Sequence, residues 1–274
     1  MFGLKEIVRR ALAEDIGRGD WTTSIVPLDA LGRAVITAKA AGRIAGLPVA
    51  EAVFRELDSG LVWQPLVSEG AEVIKGLDVA EVRGRIVSIL QGERVALNFL
   101  QRASGIATLT AQYVAAVAGT KARIADTRKT VPGLRLLDKY AVRVGGGTNH
   151  RMGLDDAVLI KDNHIVACGG IRPAVAALRR SGAPFTLQVE VEVTSLGQLQ
   201  EAMECGVQAV LLDNMTWAEM RQAVELAQGR VLLEASGGIT LETVRAVAET
   251  GVDIISVGAL THSVRALDLS LNLD

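Results

Sequence analysis

The sequence predicts a mixed α/β protein in two parts, a small N-terminal α+β sandwich and a C-terminal incomplete α/β barrel with fewer than eight strands. In the first part, short strand-like runs are broken by glycine, from about residue 30 to residue 90. In the second, apolar runs that end in a polar residue alternate with helical patterns. About 170 residues with six or seven such units are too few for a full eightfold barrel. We therefore expect a sandwich domain over residues 1–104 and a barrel domain over residues 105–274, and leave open whether the extreme termini pack on the other domain.

The N-terminal part opens with a short helical pattern, followed by the polar turn Gly17–Asp20. A second helix is predicted over Pro48–Leu57, where a proline near the first turn costs no hydrogen bond. Gln91–Val117 is predicted to be a long helix, or a helix pair broken near Ser104–Gly105. The predicted strands are Ala34–Ala38, Glu72–Ile74, Val79–Val82 and Arg85–Ile89.

The C-terminal part has a regular spacing of strand and helix. Its strand candidates are Arg123–Asp126, Ala157–Lys161, Leu187–Glu192, Ala209–Asp213, Val231–Glu234 and Ile254–Val257. The later ones recur at about 22 residues, which is one βα unit each. Such units build a parallel sheet with crossover helices, and strands that are apolar throughout suit burial on both faces. An incomplete barrel fits this pattern better than an open doubly wound sheet.

Composition excludes several classes of protein. The chain has 274 residues, a formal net charge of -2 and 49% hydrophobic residues, which is typical of a globular protein. Near-neutral charge and few aromatic residues give no reason to expect nucleic acid or a membrane as a partner. Charges within residues 1–10 argue against a signal peptide. Cys168 and Cys205 are too few for a disulfide framework and have no zinc-ligand spacing, so a reducing cytoplasm is expected.

Polar residues end the predicted strands of the barrel. In parallel α/β folds these positions face the ligand crevice. Each residue by itself could equally be a helix N-cap or a surface charge. Together they would converge on one rim, where Glu190 and Asp213 could hold a divalent cation or bind ribose hydroxyls. The residues are Asp126, Lys161, Glu190, Asp213, Glu234 and Ser256.

A basic segment lies between Lys121 and Arg151, with eight basic and two acidic residues in a chain of net charge -2. Arg135 and Lys139 fit a solvated helix face. Arg128-Lys129, however, directly follow a predicted strand, and His150-Arg151 follow three glycines, so both pairs lie in predicted loops. Because guanidinium groups suit carboxylates and phosphates, the segment predicts a site for small polyanions.

Two glycine turns indicate a phosphate site. Glu234–Leu241 and Val257–His262 each leave a strand, turn at glycine and enter a helix. Backbone N–H groups freed at such turns bind anions, and a phosphate site on the last two βα loops recurs in α/β barrels. The P-loop and Rossmann glycine signatures are absent from the sequence.

On these residues, the chain resembles the quinolinate phosphoribosyltransferase family over nearly its whole length. The most specific motifs are Asp126-Thr127-Arg128-Lys129-Thr130 and Asn149-His150-Arg151. The other matching segments are Glu14-Asp15, Gly19-Asp20, Thr22-Thr23, Gly92–Arg94, Ser104–Thr108, Lys139–Val142, Gly145–Gly147, Ile160–His164, Glu190–Val193, Leu212–Asn214, Ser236–Gly238 and Val257–Ser263.

The resemblance implies transfer of phosphoribose from phosphoribosyl pyrophosphate to the ring nitrogen of quinolinate, in de novo NAD biosynthesis. Carbon dioxide and pyrophosphate are released, nicotinate mononucleotide is formed and Mg²⁺ is required. It also implies an N-terminal open sandwich, and a homodimer or higher oligomer with shared active sites.

The resemblance also implies roles for individual residues. The catalytic residues are Lys129, Lys161, Glu190 and Asp213. Quinolinate is bound by Arg128, Arg151, Lys161 and, from the partner subunit, Arg94. Lys129 and His150 face the pyrophosphate, while Glu190 and Asp213 serve the ribose and Mg²⁺, directly or through water. The 5′-phosphate is bound by Ser236, Gly237, Gly238, Gly258 and Ala259.

Three other functions remain open from the sequence. A related molybdenum-transport-associated family is similar, but it would be expected to lose the Ile160–His164 segment. Lys161 at a strand end could form a Schiff base, as in an aldolase. A non-catalytic phosphosugar-binding module ranks last, because a mere binder has little use for a full ring of charges at the strand ends.

Overall fold

The computed structural model describes residues 3–274, so Met1 and Phe2 of the predicted first domain lie outside the described residues. The strands are β1 (Leu31–Ala38), β2 (Gly42–Arg43), β3 (Val62–Pro65), β4 (Glu72–Val73), β5 (Asp78–Arg85), β6 (Arg123–Ala125), β7 (Val158–Ile160), β8 (Val189–Val193), β9 (Ala209–Asp213), β10 (Leu232–Ser236), β11 (Ile254–Ser256) and β12 (Leu269–Leu273). The α-helices are α1 (Leu4–Ile16), α2 (Leu47–Leu57), α3 (Ile86–Ala116), α4 (Arg135–Val144), α5 (Asp162–Cys168), α6 (Ile171–Arg180), α7 (Leu196–Glu204), α8 (Trp217–Ala227), α9 (Val244–Ala248) and α10 (Ala259–His262).

The described residues form two compact units. The first unit contains the described part of Met1–Ala111, with Thr130–Gly146 and Ala259–Asp274. The second contains Gln112–Lys129 and Gly147–Gly258. The predicted domain boundary after residue 104 lies inside α3, and it stays a prediction.

The first unit is built on a four-stranded antiparallel sheet in the order β12-β1-β5-β3. The strand nearest the C-terminus, β12, pairs with β1 from Ala34↔Leu273 to Ala38↔Leu269. Helix α2 buries one apolar face, because its apolar residues recur at helical spacing. Within that face, Phe54 stacks on Trp63 of β3 with ring centroids 5.6 Å apart. Sheet and helices together form the expected α+β unit.

The second unit is a six-stranded parallel sheet in the order β6-β11-β10-β9-β8-β7, with β6 and β7 at its edges. Val191, Val210 and Leu212 are fully buried on one face. Since side chains alternate along a strand, their neighbours Glu190, Leu211 and Asp213 lie on the other face. The prediction of an incomplete α/β barrel with fewer than eight strands is confirmed, because the sheet has six strands and does not close.

Helix α3 is continuous through Ser104-Gly105, so the possible break there does not occur. The Ser104 hydroxyl accepts the N–H of Ala45 at 3.0 Å. Gly105 lies so close to the carbonyl oxygen of Arg265 that a Cβ would clash. The two small residues therefore permit close packing against α3 and leave its helical hydrogen bonds intact.

The predicted strand Arg85–Ile89 is wrong for Ile86–Ile89, which form the first turn of α3. The chain leaves β5 at Arg85, which pairs with Leu31 of β1. A short apolar run does not distinguish a strand from the start of a buried helix. Among the residues that the structure describes, no helix is both long and apolar enough to cross a membrane.

Candidate active site

A pocket of about 210 Å³ lies at the carboxyl ends of the parallel strands in the second unit. Its charged lining residues are Arg128, Lys129, His150, Arg151, Lys161, Glu192, Asp213 and Glu234. A larger cavity of about 600 Å³ lies elsewhere in this unit, but Arg179 is the one charged residue in its lining. The smaller pocket is therefore the candidate active site, and it lies where the sequence predicted a ligand crevice.

The loops that carry the cationic residues are fixed by hydrogen bonds to the end of β6. Asp126 is completely buried and accepts the backbone N–H of His150 at 2.9 Å. The Asn149 side-chain amide donates to the second oxygen of the same carboxylate. Thr127 Oγ1 accepts the backbone N–H of Lys129 at 3.0 Å. These bonds hold Lys129 and Arg151 on two loops that line one pocket.

The side chain of Arg151 is arranged to bind an anion. Its Nη1 donates to the carbonyl oxygen of Ala157 at 3.1 Å, whereas its buried Nε has no hydrogen-bond partner among the described residues. Burial lowers the pKa of Arg151, and the nearby charge of Arg128 lowers it further. Two guanidinium groups this close repel each other, so an anionic ligand between them would remove both costs.

The acidic side of the pocket is formed by Glu192 and Asp213. Burial raises the pKa of Glu192, the charge of Lys161 opposes that shift, and the charge of Asp213 adds to it. Lys161 Nζ lies 3.9 Å from Glu192 Oε2. Positive and negative groups therefore face one another across the pocket, as a substrate with both anionic groups and hydroxyls would require.

Glu190 does not line this pocket, although the sequence suggested that it acts with Asp213. It lines a cavity of about 240 Å³ toward the amino-terminal ends of the same strands. There its Oε2 lies 3.1 Å from His150 Nε2, and Glu234 Oε2 lies 3.6 Å from the same nitrogen. Burial, followed by the charge of Glu190, raises the pKa of Glu234 to about 7. The pairing expected of Glu190 and Asp213 is instead made by Glu192 and Asp213.

Sequence reasoning passed over Glu192, and it gave Glu234 only as one of the polar strand ends, with no role in the site. The signal for Glu192 is the alternation in Val189–Val193, which places Glu190 and Glu192 on one face of β8. Glu234 pairs in register with Leu211 of β9 and lines both cavities. It ends a predicted strand, but nothing in the sequence indicates that it meets His150.

The glycine turns have the expected geometry. Ser236 lines the pocket, and Gly237 and Gly238 follow it with φ of +102° and +60°. A Cβ at Gly237 would clash with the side-chain oxygen of Asn214. Gly258 follows β11 in the second unit, and Ala259 begins α10 in the first unit. Because β10 and β11 are adjacent, the turns after them begin at the same edge of the sheet.

Three other residues of the sequence prediction lie in the first unit. Arg94 is on α3 with a side chain that is 60% exposed. Lys139 is only 1% exposed, so its assignment to a solvated helix face is wrong. Arg135 donates from Nε to Thr130 Oγ1 at 3.0 Å. The basic segment is therefore divided between the two units, and only part of it lines the pocket.

The fold and the pocket define an α/β enzyme that binds small phosphorylated and carboxylated molecules. The pattern of the quinolinate phosphoribosyl transferase C-terminal domain matches residues 106–272, and that of the N-terminal domain matches residues 20–104. The chain belongs to the quinolinate phosphoribosyltransferase family, a family of pentosyltransferase enzymes.

Relatives of known name agree with this assignment. The probable nicotinate-nucleotide pyrophosphorylase (carboxylating) of Synechocystis sp. is 49% identical over 265 residues, which cover 96% of this chain and 90% of the relative. The Bacillus subtilis protein of the same name is 43% identical over 270 residues, covering 98% and 93% of the two chains.

Solved structures agree as well. The structure of NadC from Streptococcus pyogenes has a TM-score of 0.95 at 42% identity and covers 100% of this chain and 97% of its own. The nicotinate-nucleotide pyrophosphorylase from Francisella tularensis has a TM-score of 0.94 at 42% identity, with 99% and 96% covered. The predicted family is confirmed, and the molybdenum-associated and aldolase alternatives find no support.

Proposed function

We propose that the pocket at the carboxyl ends of the strands is where the protein transfers phosphoribose from phosphoribosyl pyrophosphate to the ring nitrogen of quinolinate. The products are nicotinate mononucleotide, pyrophosphate and carbon dioxide, a step of NAD biosynthesis. The observation that carries the proposal is that the half-buried Arg128 and Arg151 line one pocket together with the carboxylates of Glu192 and Asp213. Such a pocket can bind the dianion quinolinate through its arginines and the ribose through its carboxylates.

The cationic residues bind the dicarboxylate. Arg128 and Arg151 supply planar guanidinium groups that match carboxylates, and Arg151 has an Nε available for a new bond. Lys161, at the end of β7, adds a point charge near both substrates. Binding a dianion removes the mutual repulsion of the arginines, so quinolinate is favoured over a ligand with a single carboxylate.

The donor set of the pocket fits Mg²⁺, which prefers carboxylate and phosphate oxygens. Glu192 and Asp213 would hold the ion on the sugar side, and burial of Glu192 means that a nearby cation would favour its charged form. When bound with the pyrophosphate, Mg²⁺ supplies positive charge toward the leaving group. We assign this role to Glu192 instead of Glu190, because Glu192 lines the pocket and Glu190 lines the cavity of about 240 Å³.

Bond breaking at the sugar C1 creates positive charge on the ribose and negative charge on the pyrophosphate. Lys129 and Lys161 stabilise the leaving group, and Glu192 and Asp213 stabilise the ribose. His150 was expected beside the pyrophosphate, but both of its ring nitrogens have partners elsewhere. That role therefore stays a prediction, and it would require the ring to leave those partners.

The phosphate and the carboxylate next to the ring nitrogen complete the reaction. Ser236, Gly237 and Gly238 would bind the 5′-phosphate through backbone N–H groups, while the phosphate-binding roles of Gly258 and Ala259 stay predictions. After the ring nitrogen is alkylated, the positively charged ring accepts the electron pair of the adjacent carbon–carboxylate bond. Carbon dioxide leaves, and the ring carbon takes up a proton. Arg128 and Arg151 hold that carboxylate in place while the pocket limits its hydration.

The proposal is tested by supplying phosphoribosyl pyrophosphate and Mg²⁺ with either quinolinate or nicotinate. We expect rapid release of labelled carbon dioxide from quinolinate, and slow or no turnover of nicotinate, which leaves one guanidinium without a carboxylate. Mononucleotide formation is followed by chromatography, with a chelator present in the control reaction. Robust turnover of nicotinate with none of quinolinate would overturn the proposal.

We also propose a homodimer in which Arg94 completes the partner's site. The exposed Arg94 side chain, in a unit that does not contain the pocket, supports this arrangement. The cytoplasmic location expected from the cysteine content stays a prediction.

Subunit mixing tests the shared site. Arg94→Ala and Lys161→Ala should each be nearly inactive, because each removes a substrate contact. After exchange, an equimolar mixture should regain up to about a quarter of wild-type activity, since about half of its dimers are mixed and each of these carries one intact site of two. Subunit exchange is verified by mass spectrometry of differently labelled chains. Exchanged dimers that remain inactive would rule out a shared site.

A further inference from the structure

The imidazole of His150 is held at both nitrogens inside the second unit. Its Nδ1 lies 2.7 Å from the backbone nitrogen of Arg151, and its Nε2 lies 3.1 Å from Glu190 Oε2. The His150 side chain is 15% exposed and that of Glu190 is 10% exposed. Both hydrogen bonds are therefore shielded from water, where replacing either of them would be costly.

The two partners define one tautomer of the ring. A backbone N–H can only donate, so Nδ1 of His150 must accept and cannot carry a proton. A neutral imidazole then carries its proton on Nε2, which faces a carboxylate acceptor. An imidazolium would place a proton on Nδ1 opposite the N–H of Arg151. A charged ring would therefore have to break the backbone bond to Arg151.

The same bonds tie Glu190 to the guanidinium of Arg151. Asp126 holds the backbone of His150 from one side, and Glu190 holds its ring from the other. The ring in turn holds the backbone N–H of Arg151, whose side chain lines the pocket. Glu234 lies next to both, with its buried Oε1 free of any hydrogen bond among the described residues. Glu190 and Glu234 thus both lie beside the ring, Glu190 outside the pocket and Glu234 in the lining of both cavities.

We propose that His150 acts as a fixed Nε2–H tautomer, set by the backbone N–H of Arg151 and anchored at Nε2 by Glu190, and that Glu190 is a positioning residue for Arg151. The inference rests on the proposed role of Arg151 in binding quinolinate. It gives Glu190 a function other than metal or ribose binding, and it makes the His150 ring a structural link instead of a contact for pyrophosphate.

Substitution of Glu190 by residues of similar length tests the link. Glu190→Gln keeps an oxygen that can accept from Nε2, so its quinolinate Kd should stay within about threefold of the wild-type value. Glu190→Met removes the carboxylate 3.1 Å from Nε2 and leaves that of Glu234 at 3.6 Å, so the ring loses its shorter anchor and the quinolinate Kd should rise about tenfold or more. The Kd of phosphoribosyl pyrophosphate should change little in both. Glu225→Met, at an exposed position on α8, is the matched control, and circular dichroism verifies that each variant is folded.

Nitrogen NMR of labelled histidines reads the tautomer independently of substrate binding. The His150 signals are assigned by their loss in His150→Asn. At neutral pH they should show a protonated Nε2 and an unprotonated Nδ1 in the wild type, and a shifted Nε2 signal in Glu190→Met, where the carboxylate acceptor of that N–H is lost. A proton on Nδ1, or displacement of the Nε2 proton by added Zn²⁺, would overturn the proposal.

The two measurements separate the inference from the proposed site. If Arg128→Ala weakens quinolinate binding and the folded Glu190→Met variant does not, the positioning role is wrong and the site assignment stands. If Glu190→Met instead weakens binding of phosphoribosyl pyrophosphate, Glu190 or His150 serves that substrate, and the proposal is overturned. If even Arg128→Ala leaves quinolinate binding unchanged, the site assignment and the positioning role both fail.

Discussion

Arg128→Ala is expected to weaken quinolinate binding by about 2–5 kcal/mol, because it removes a charged hydrogen-bond donor from a water-excluded contact. Binding of phosphoribosyl pyrophosphate should weaken much less. Arg128 and Arg151 line the same pocket, and without Arg128 the dianion loses one of these two guanidinium groups. Calorimetric titration of each substrate into the folded variant measures both affinities.

The control for this variant is Arg221→Ala, which removes an arginine from the exposed side of α8. It should leave both affinities unchanged, because a solitary surface charge contributes little. An equal loss of affinity for both substrates in Arg128→Ala would contradict the assignment of Arg128 to quinolinate.

Glu192→Gln is expected to lower kcat on the order of 10²–10³-fold while quinolinate binding is nearly retained. The carboxylate would stabilise positive charge that develops on the ribose only in the transition state, and a neutral amide cannot. Glu225→Gln, at an exposed position on α8, should keep full activity. Steady-state kinetics with each substrate varied separates the effect on kcat from that on binding. A variant that retains wild-type kcat would remove Glu192 from the catalytic group.

The pH profile gives a second measurement on the same variant. Burial raises the pKa of Glu192, so its active carboxylate form is lost at a higher pH than for an exposed glutamate. Wild-type kcat/KM should therefore fall as the pH drops through that raised pKa. In Glu192→Gln this decline should be absent, since there is no proton to gain. An unchanged acid limb would show that another group controls it.

The strand ends could be predicted from the sequence because they follow local rules. Apolar runs, their spacing and the polar residue after each run placed Asp126, Lys161 and Asp213 near the edge of the sheet where the structure has them. The arginine-containing loops and the glycine turns were likewise visible, since residue type and position after a strand are sequence properties. The number of repeats predicted six or seven strands, too few for a closed eightfold barrel, and the parallel sheet has six.

How close a side chain lies to the carboxyl end of its strand could not be predicted with the same accuracy. Glu190 and Glu192 lie two residues apart on one face of β8, so alternation treats them as equivalent. Which of them reaches the pocket depends on the register between strands, where Glu190 pairs with Leu159 and Ala209. Glu192 lies one layer nearer the carboxyl end, beside Asp213.

Contacts between segments that are far apart in the sequence could not be predicted either. By local preference Ser104-Gly105 would break a helix. In the structure, however, the helix continues, and Ala45 and Arg265 pack closely against this pair because both of its residues are small. Lys139 is buried although its helical pattern fits an exposed face. The carboxylates beside His150 belong to Glu190 of β8 and Glu234 of β10. The position of His150 in a loop does not indicate either contact.

The pairing of β12 with β1 has a consequence for how the chain is made. These strands are neighbours in one sheet, but the whole second unit lies between them in the sequence. During synthesis the ribosome releases β1 before the second unit and β12 after it. One edge of β1 therefore has no paired strand until β12 has been made. An unpaired edge of this kind invites association with other chains. The last strand to emerge is thus the one that closes this edge.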